Sequence, residues 1–283
     1  WALREIGKEP YLFCKDEIPS HFLFLSGARN FRTETPKQPV DAIFGLDYGS
    51  FKRLGIDEYR ASFPSIPLIT IDHHLRRDQQ GEVQVIDIEA SSTSELVYWF
   101  LVSCGMPISR FSASALLAGI FTDSGGFRHV STTPATLQAV SSLLLKGCST
   151  SHIARKTFRY SPDLLPVFGK ILCRIALDEP SGMASSWLSY KDIAEFKLDI
   201  EKLDGIATIL GTADKARFSL FLTEKKPNFI EASLRSEPFK NFEVNGIAEH
   251  FGGGGHKYAA GFRKEGTIED VMREVREMAL QVA

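Results

Sequence analysis

No apolar run in the chain approaches the roughly 20 residues that a helix needs to cross a bilayer. The first residues hold no basic segment leading into an apolar core and a cleavage site, so a cytoplasmic location is the expectation. Cysteine is scarce. Cys14, Cys104, Cys148 and Cys173 stand far apart and form no Cys-x-x-Cys pair, which argues against structural zinc and predicts buried, reduced thiols. An excess of charge of either sign is also missing, because 33 Lys and Arg face 35 Asp and Glu. A chain so nearly neutral is not suited to coating long nucleic acid through bulk electrostatics, and an anionic substrate has to be held by local groups of cations. Candidates are Arg29 with Arg32, Lys52 with Arg53, Arg76 with Arg77, Arg155 with Lys156 and Arg159, and Lys225 with Lys226; one or two are expected to face substrate. What is present is 283 residues, 43% hydrophobic and 24% charged, which suits a soluble globular protein long enough for two domains with separate cores.

Residues 65–74 read Ser-Ile-Pro-Leu-Ile-Thr-Ile-Asp-His-His, a short β-branched run that stops at an acid and two imidazoles. Such a run fits a strand buried on both faces, and in open parallel sheets ligands gather beyond the carboxyl ends of the strands. Asp72, His73 and His74 would then line a mouth, where imidazole and carboxylate suit a divalent metal. Alone, the triplet is equally a polar strand-to-loop turn. Two further apolar runs end the same way, however: residues 42–46 stop at Asp47, and residues 116–122 stop at Asp123, followed by Ser124, Gly125 and Gly126. A carboxylate taken out of water is costly unless paired or metal-bound, so three acids placed alike suggest one shared cation.

The rest of the first half has a βαβ rhythm. A helical stretch over 51–59 leads back to the 65–74 strand, and 83–88 alternates as another strand. Ser92 and Glu95 form a Ser-x-x-Glu capping box opening a helix to Leu101. Residues 111–121 are apolar enough for either a buried helix or a strand, and 134–146 read as a helix begun by Thr133 and Pro134 and closed by Gly147. At the front, residues 1–7 look like the last turns of an amphipathic helix, followed by a strand over 11–14. A striped helix over 162–176 is expected to connect two lobes, and Asp-Glu-Pro-Ser-Gly at 178–182 is the linker candidate. The division predicted is a catalytic domain over 1–160, a connecting helix and linker over 161–182, and a substrate-binding domain over 183–283. The second domain should hold strands over 183–190, 217–223, 229–234 and 257–262, helices over 203–210 and 244–251, and a last helix capped by Thr267.

Gly252, Gly253, Gly254 and Gly255 precede His256 and Lys257, with a patterned helix before them and a strand after. Glycines inside a domain, unlike a linker run, suggest close approach of backbone N–H groups to a phosphate, with His256 and Lys257 adding charge. Arg235 and Ser236, at the end of the 229–234 strand, would complete that pocket with a forked guanidinium and a hydroxyl.

In these residues the chain resembles the DHH phosphoesterase superfamily, in the branch with a C-terminal DHH-associated domain. Within it, the likeness is to nano-RNases that also act as 3′-phosphoadenosine 5′-phosphate phosphatases. The resemblance is carried by Leu46 and Asp47 with the Tyr-Gly-Ser-Phe-Lys-Arg that follows, by Ile71 to His74, by Gly-Ile-Phe-Thr-Asp-Ser-Gly-Gly-Phe-Arg at 119–128, and by Arg235, Ser236 and the glycine run through His256. It implies an α/β fold of two domains, a parallel Rossmann-like sheet first and a smaller mixed sheet second. It also implies a manganese-dependent phosphoesterase acting on short oligonucleotides or small phosphorylated nucleotides. Asp47 would bridge two Mn2+ ions, His73 and Asp123 would ligate one, Asp72 and His74 would support the shell or touch the phosphate, and His74 or Arg128 would stabilise the developing phosphoryl charge. The family's first motif, His-x-x-x-Asp-x-Asp, is not in the sequence, so an incomplete metal set with Asp47, His73 and Asp123 pointing into one cleft is expected. A cyclic- or linear-dinucleotide phosphodiesterase of the same superfamily, a processive exonuclease, for which the near-neutral chain offers little basic track, and a non-catalytic nucleotide-binding module are the alternatives. No membrane partner is expected, and a homodimer is left open.

Overall fold

The computed structural model describes residues 1–74, 78, 80–157, 162–196 and 206–282. It divides into two compact units, Trp1–Arg159 and Tyr160–Ala283. The first contains α1 (Ala2–Glu5), β1 (Ile43–Leu46), α2 (Phe51–Leu54), α3 (Asp57–Ser62), β2 (Leu68–Asp72), β3 (Val83–Ile86), α4 (Thr93–Ser103), α5 (Arg110–Asp123), α6 (Pro134–Leu144) and α7 (Thr150–Thr157).

β2 is the middle strand of a parallel sheet of order β1-β2-β3. Its Leu68 and Ile71 are almost wholly buried, as the continuous apolar run predicts for a strand covered on both faces. Register sets the mouth. Leu46 lies opposite Ile71 and Asp72 opposite Ile86, so Asp47 and the Asp-His-His triplet emerge at the same sheet end. The ambiguous run at 111–121 is a helix, capped where the Ser109 hydroxyl accepts from the Ser112 N–H. Its length decides the matter: all of α5 is apolar enough to bury Ala113, Leu117 and Ile120 between α4 and α6. Gly119 permits the contact with α4, since a Cβ there would lie 2.0 Å from Ser94 Oγ. That crossing holds the first residues of α4 and the last of α5 beside the sheet end.

Several expectations change. The strand expected over 11–14 reduces to one bridge between Phe13 and Arg32, and the single helix over 51–59 is broken into α2 and α3 at Gly55, whose φ of +70° lies in the left-handed region. The four cysteines are free, but none is buried: Cys104 and Cys173 are exposed and the others half-buried. Their positions at helix ends and in loops outweigh the residue's apolar character. Among the described residues no helix is long and apolar enough to cross a membrane.

The second unit contains α8 (Leu164–Cys173), β4 (Ala176–Asp178), β5 (Met183–Leu188), α9 (Tyr190–Phe196), α10 (Ile206–Leu210), β6 (Phe218–Lys226), β7 (Phe229–Ser236), α11 (Asn245–His250), β8 (Gly254–His256), β9 (Ala259–Glu265) and α12 (Ile268–Val282). Its sheet has the order β4-β5-β6-β7-β9-β8, with β5 and β6 parallel and the other pairs antiparallel. β7 alternates as a half-buried strand should. Ile230, Ala232 and Leu234 join Val271, Val275 and Ala279 of α12 in the core, which leaves Glu231, Ser233 and Arg235 on the opposite face. The linker candidate at 178–182 is instead the turn of a hairpin: Asp178 pairs with Met183, and the Gly182 N–H donates to the Asp178 carbonyl at 2.8 Å. Proline and glycine punctuate hairpins and linkers alike. Nor does α8 stand as a connector, because Leu164, Val167, Phe168 and Ile171 pack with Leu188, Leu210 and Phe221 of the second unit. Residues 203–205 of the helix expected over 203–210 lie outside the described residues, as do Arg76, Arg77 and Arg159.

Candidate metal centre

Asp47 follows β1 directly and has a φ of +57°, a left-handed conformation that aspartate tolerates better than most side chains. Its N–H donates to the Ile71 carbonyl at 3.2 Å, so the turn is tied to β2 as the strand ends. Tyr48 pins the same turn. Its ring is 3% exposed, and its hydroxyl lies 2.7 Å from Thr70 Oγ1 and 2.8 Å from the Gln80 carbonyl. The next N–H, that of Gly49, donates to Asp72 Oδ2 at 2.7 Å.

Asp72 is fully buried and already engaged. Besides Gly49, it accepts from the His74 N–H at 3.0 Å and from His74 Nδ1 at 2.8 Å. Burial alone would raise its pKa, but the hydrogen bonds donated by His74 and Gly49 outweigh that and hold the carboxyl below its ordinary value. Asp72 therefore orients His74 and stays an anion. His73 points differently: its Nδ1 is 3.2 Å from the Ala90 carbonyl, an acceptor only, so Nδ1 is the donor and Nε2 is the ring nitrogen left to face the two acids. Nε2 lies 3.7 Å from Asp47 Oδ1 and 3.9 Å from Asp123 Oδ2. His74 Nδ1 is 3.5 Å from the same Asp47 oxygen, and Asp47, His73 and His74 each offer a ligand atom within 4.8 Å of the others.

Asp123 closes the group from the end of α5. Its side chain keeps 42% of its surface in solvent, and its carboxyl is raised above its ordinary value, first by partial loss of solvent and then by the negative charge of Asp47, which the nearby histidines only partly offset. Two crowded carboxylates facing two imidazoles are a donor set that a divalent cation fits, because the ion removes the repulsion that protonation otherwise relieves. The turn after Asp123 bends through Gly125, Gly126 and Phe127, all at positive φ. His129 Nδ1 reaches back to the Asp123 carbonyl at 2.8 Å, and Arg128 Nε donates to the Gly125 carbonyl at 2.7 Å, which places the Arg128 side chain along this turn.

The second unit gathers its predicted residues only in part. Arg235 lies opposite Ala259, and Ala259 opposite His256, so Arg235 and His256 share one face in one row across β7, β9 and β8 with a small residue between them. The adjacent row is Ser233, Gly261 and Gly254, which leaves a floor of small side chains. Ser236 does not join them. It alternates to the buried side, where its hydroxyl donates to the Arg217 carbonyl at 2.7 Å. Lys257 is exposed and paired with Glu243 at 2.8 Å. The glycine run is largely an edge strand, and its close approach is to β9: a Cβ on Gly253 would lie 2.2 Å from the Gly261 carbonyl oxygen, and one on Gly255 2.5 Å from that of Ala259. Gly252 and Gly254 have open space beside them.

Residues 185–283 match the family model described as the DHHA1 domain. The match falls wholly within the second unit. Beyond it, the similarity extends to proteins described as bifunctional oligoribonuclease and PAP phosphatase NrnA. That of Thermus thermophilus is 27% identical over 286 residues, 98% of this chain and 82% of the relative; that of Bacillus subtilis is 29% identical over 263 residues, 92% and 80%. A probable NrnA of Streptococcus mutans is 28% identical over 213 residues, 75% of this chain and 67% of the relative. Among solved structures, an exopolyphosphatase-related protein from Bacteroides fragilis superposes with a TM-score of 0.87 at 27% identity, covering 99% of this chain and 85% of that one. The resemblance to DHH phosphoesterases read from the motifs is borne out, and with it the enzyme class, a hydrolytic phosphoesterase. The DHHA1 domain holds the Arg235 and His256 row, whereas every acid and imidazole of the metal set precedes it.

One residue at the centre was not singled out from sequence. Thr93 Oγ1 donates to Asp47 Oδ1 at 2.7 Å from a position 46 residues away. The capping box around it was legible, but only the packing of α4 against β2, the neighbour of β1, brings that hydroxyl to the carboxylate.

Proposed function

We propose that this chain hydrolyses phosphoesters of short oligonucleotides or of 3′-phosphoadenosine 5′-phosphate, with manganese held by Asp47, His73 and Asp123 and with His74 close by. The observation that carries the reading is the convergence of Asp47, His73, His74 and Asp123 at one end of the parallel sheet. A divalent ion bound there would lower the pKa of a water and stabilise charge on a phosphoryl oxygen. The protein's own part is orientation. The Ala90 carbonyl fixes the ring of His73, Asp72 fixes that of His74, and Thr93 holds one oxygen of Asp47. The similarity to NrnA proteins, which are described as oligoribonucleases and PAP phosphatases, favours nucleotide substrates. In the DHHA1 domain, Arg235 and His256 are the groups for a second phosphate or sugar of the substrate, because they share an open face floored by small residues.

The test is phosphate release from 3′-phosphoadenosine 5′-phosphate and nucleotide release from a linear dinucleotide, each with manganese and with chelator. Metal-dependent turnover of either is expected. Turnover that survives chelation would remove the metal reading, and turnover of neither substrate would remove the assigned substrate class.

A further inference from the structure

Glu95 is a buried acid that this chemistry does not use. It is 3% exposed and stands in the first turn of α4. A Ser-x-x-Glu capping box would send its carboxylate back to the N–H of Ser92. Here half of that box forms, with the Ser92 hydroxyl accepting from the Glu95 N–H at 3.1 Å. The carboxylate reaches one residue further. Its Oε2 accepts from the Ser91 N–H at 3.0 Å, from Ser91 Oγ at 2.6 Å and from Thr136 Oγ1 at 2.9 Å. Thr136 is itself held in the capping box that opens α6.

The segment thus held carries both contacts that aim the metal-facing side chains. Ala90, next to Ser91, supplies the carbonyl on His73 Nδ1, and Thr93 supplies the hydroxyl on Asp47 Oδ1. Segment 90–93 therefore touches a ligand from each of two strands, and a single buried carboxylate clamps it to α6. We infer that Glu95 is a positioning residue for the candidate metal centre, fixing through segment 90–93 the Nδ1–H tautomer of His73 and the carboxylate of Asp47. The inference rests on the proposed metal reading for its consequence, but its first observable does not. Charge-assisted hydrogen bonds from Ser91 and Thr136 are stronger than those to a neutral amide, so Glu95→Gln keeps the shape of the side chain while loosening the clamp. Loss of a partner that orients a ligand typically costs about 10- to 100-fold in metal affinity.

Two measurements on intact protein test this. The imidazole nitrogen NMR spectrum of the metal-free protein reads the tautomer of His73, and manganese titration followed by electron paramagnetic resonance reads affinity. Wild type is expected to show His73 protonated at Nδ1, and Glu95→Gln to show a mixture of tautomers with manganese affinity weakened by about 10- to 100-fold. Thr93→Val, which breaks only the Asp47 contact, should weaken manganese and leave the His73 tautomer intact. If Glu95→Gln does not fold, Ser91→Ala removes the 2.6 Å donor alone and is read the same way. A lowered melting temperature with unchanged tautomer and unchanged manganese affinity would show Glu95 to be merely structural and overturn the inference. Failure of wild type to bind manganese would overturn the metal reading, and the tautomer in metal-free protein would still decide whether Glu95 positions His73.

Discussion

At the scale of single residues, the candidate site was legible where it consists of acids and imidazoles ending apolar runs, and illegible where it consists of hydroxyls and carbonyls. Asp47, Asp72, His73, His74 and Asp123 stand out because their cost at the end of a buried run demands a reason. Thr93 and Ala90 do not, because a threonine at the start of a helix and an alanine in a loop are ordinary until tertiary packing aims them. The same energetics yields a prediction for Asp123. Its pKa is raised by partial loss of solvation and by the charge of Asp47, so in metal-free protein its ionised form opposes folding, by an amount that solvent reaching its 42% exposed side chain keeps small. A group raised in this way adds stability below its unfolded pKa, and that contribution is lost as pH rises through the folded value. Asp123→Asn should therefore raise the melting temperature of metal-free protein at neutral pH, with the advantage vanishing below about pH 4, the unfolded carboxyl value. Turnover should nevertheless fall by more than about 100-fold, beyond the loss typical of residues that only orient a ligand. Asp47→Ala should lose activity in the same way. Parallel calorimetry and phosphate-release assays decide it, and an Asp123→Asn protein that is both less stable and fully active would remove Asp123 from the centre.

At the scale of elements, periodicity found most strands and helices of the DHHA1 domain but misread what punctuates them. The stretch at 178–182, expected as a linker, is the turn of the β4–β5 hairpin, and the glycine run, expected as a phosphate cradle, ends in the edge strand β8. Gly253 and Gly255 are needed because the backbone of β9 lies where their side chains would be, whereas Gly254 faces open space. Gly253→Ala should accordingly destabilise by about 1 to 3 kcal/mol, as forced overpacking does. Gly254→Ala should leave the urea midpoint nearly unchanged. Equal midpoints for the two variants would contradict the β8–β9 packing. A second element-level device joins α8, β5 and α9. Asp192, nearly buried, accepts from Arg174 Nη1 at 2.6 Å, Lys170 Nζ at 2.7 Å and the Ser189 N–H at 2.9 Å, while Arg174 lies over the Trp187 ring at 3.7 Å. Burial would raise this carboxyl, but the donors, Arg174 foremost, outweigh it and hold it well below the usual carboxylate range. A depressed carboxyl contributes stability above its unfolded pKa of about 3.9 and loses it as pH falls toward the folded value. Asp192→Asn should cost about 3 to 5 kcal/mol at neutral pH, as breaking a buried pair does. The deficit should shrink progressively below about pH 4, near the unfolded carboxyl value. Urea melts of both proteins across that range provide the check.

At the scale of the whole molecule, two units with separate cores were readable from length, and the first unit ends at Arg159, beside the boundary read at 160, but the separate connector expected over 161–182 was not found. A striped helix such as α8 packs on a sheet or joins two lobes with the same pattern of apolar residues, and only its contacts with Leu188, Leu210 and Phe221 assign it to the second unit. The division also separates chemistry from recognition in the proposed function: all metal-facing groups belong to the first unit, and the Arg235 and His256 row belongs to the DHHA1 domain. If that division of labour holds, substitutions in the row should spare the reaction and harm only substrates that carry a second phosphate or nucleotide. A hydrogen bond to a charged group contributes roughly 1.5 to 3 kcal/mol, so Arg235→Ala or His256→Ala should lower kcat/KM for 3′-phosphoadenosine 5′-phosphate by about one to two powers of ten. A generic chromogenic phosphodiester, which offers nothing for the row to hold, should be hydrolysed at nearly the wild-type rate. Steady-state kinetics on both substrates separates the cases, because equal losses would mean that the row supports the fold or the metal centre and takes no part in recognising the substrate.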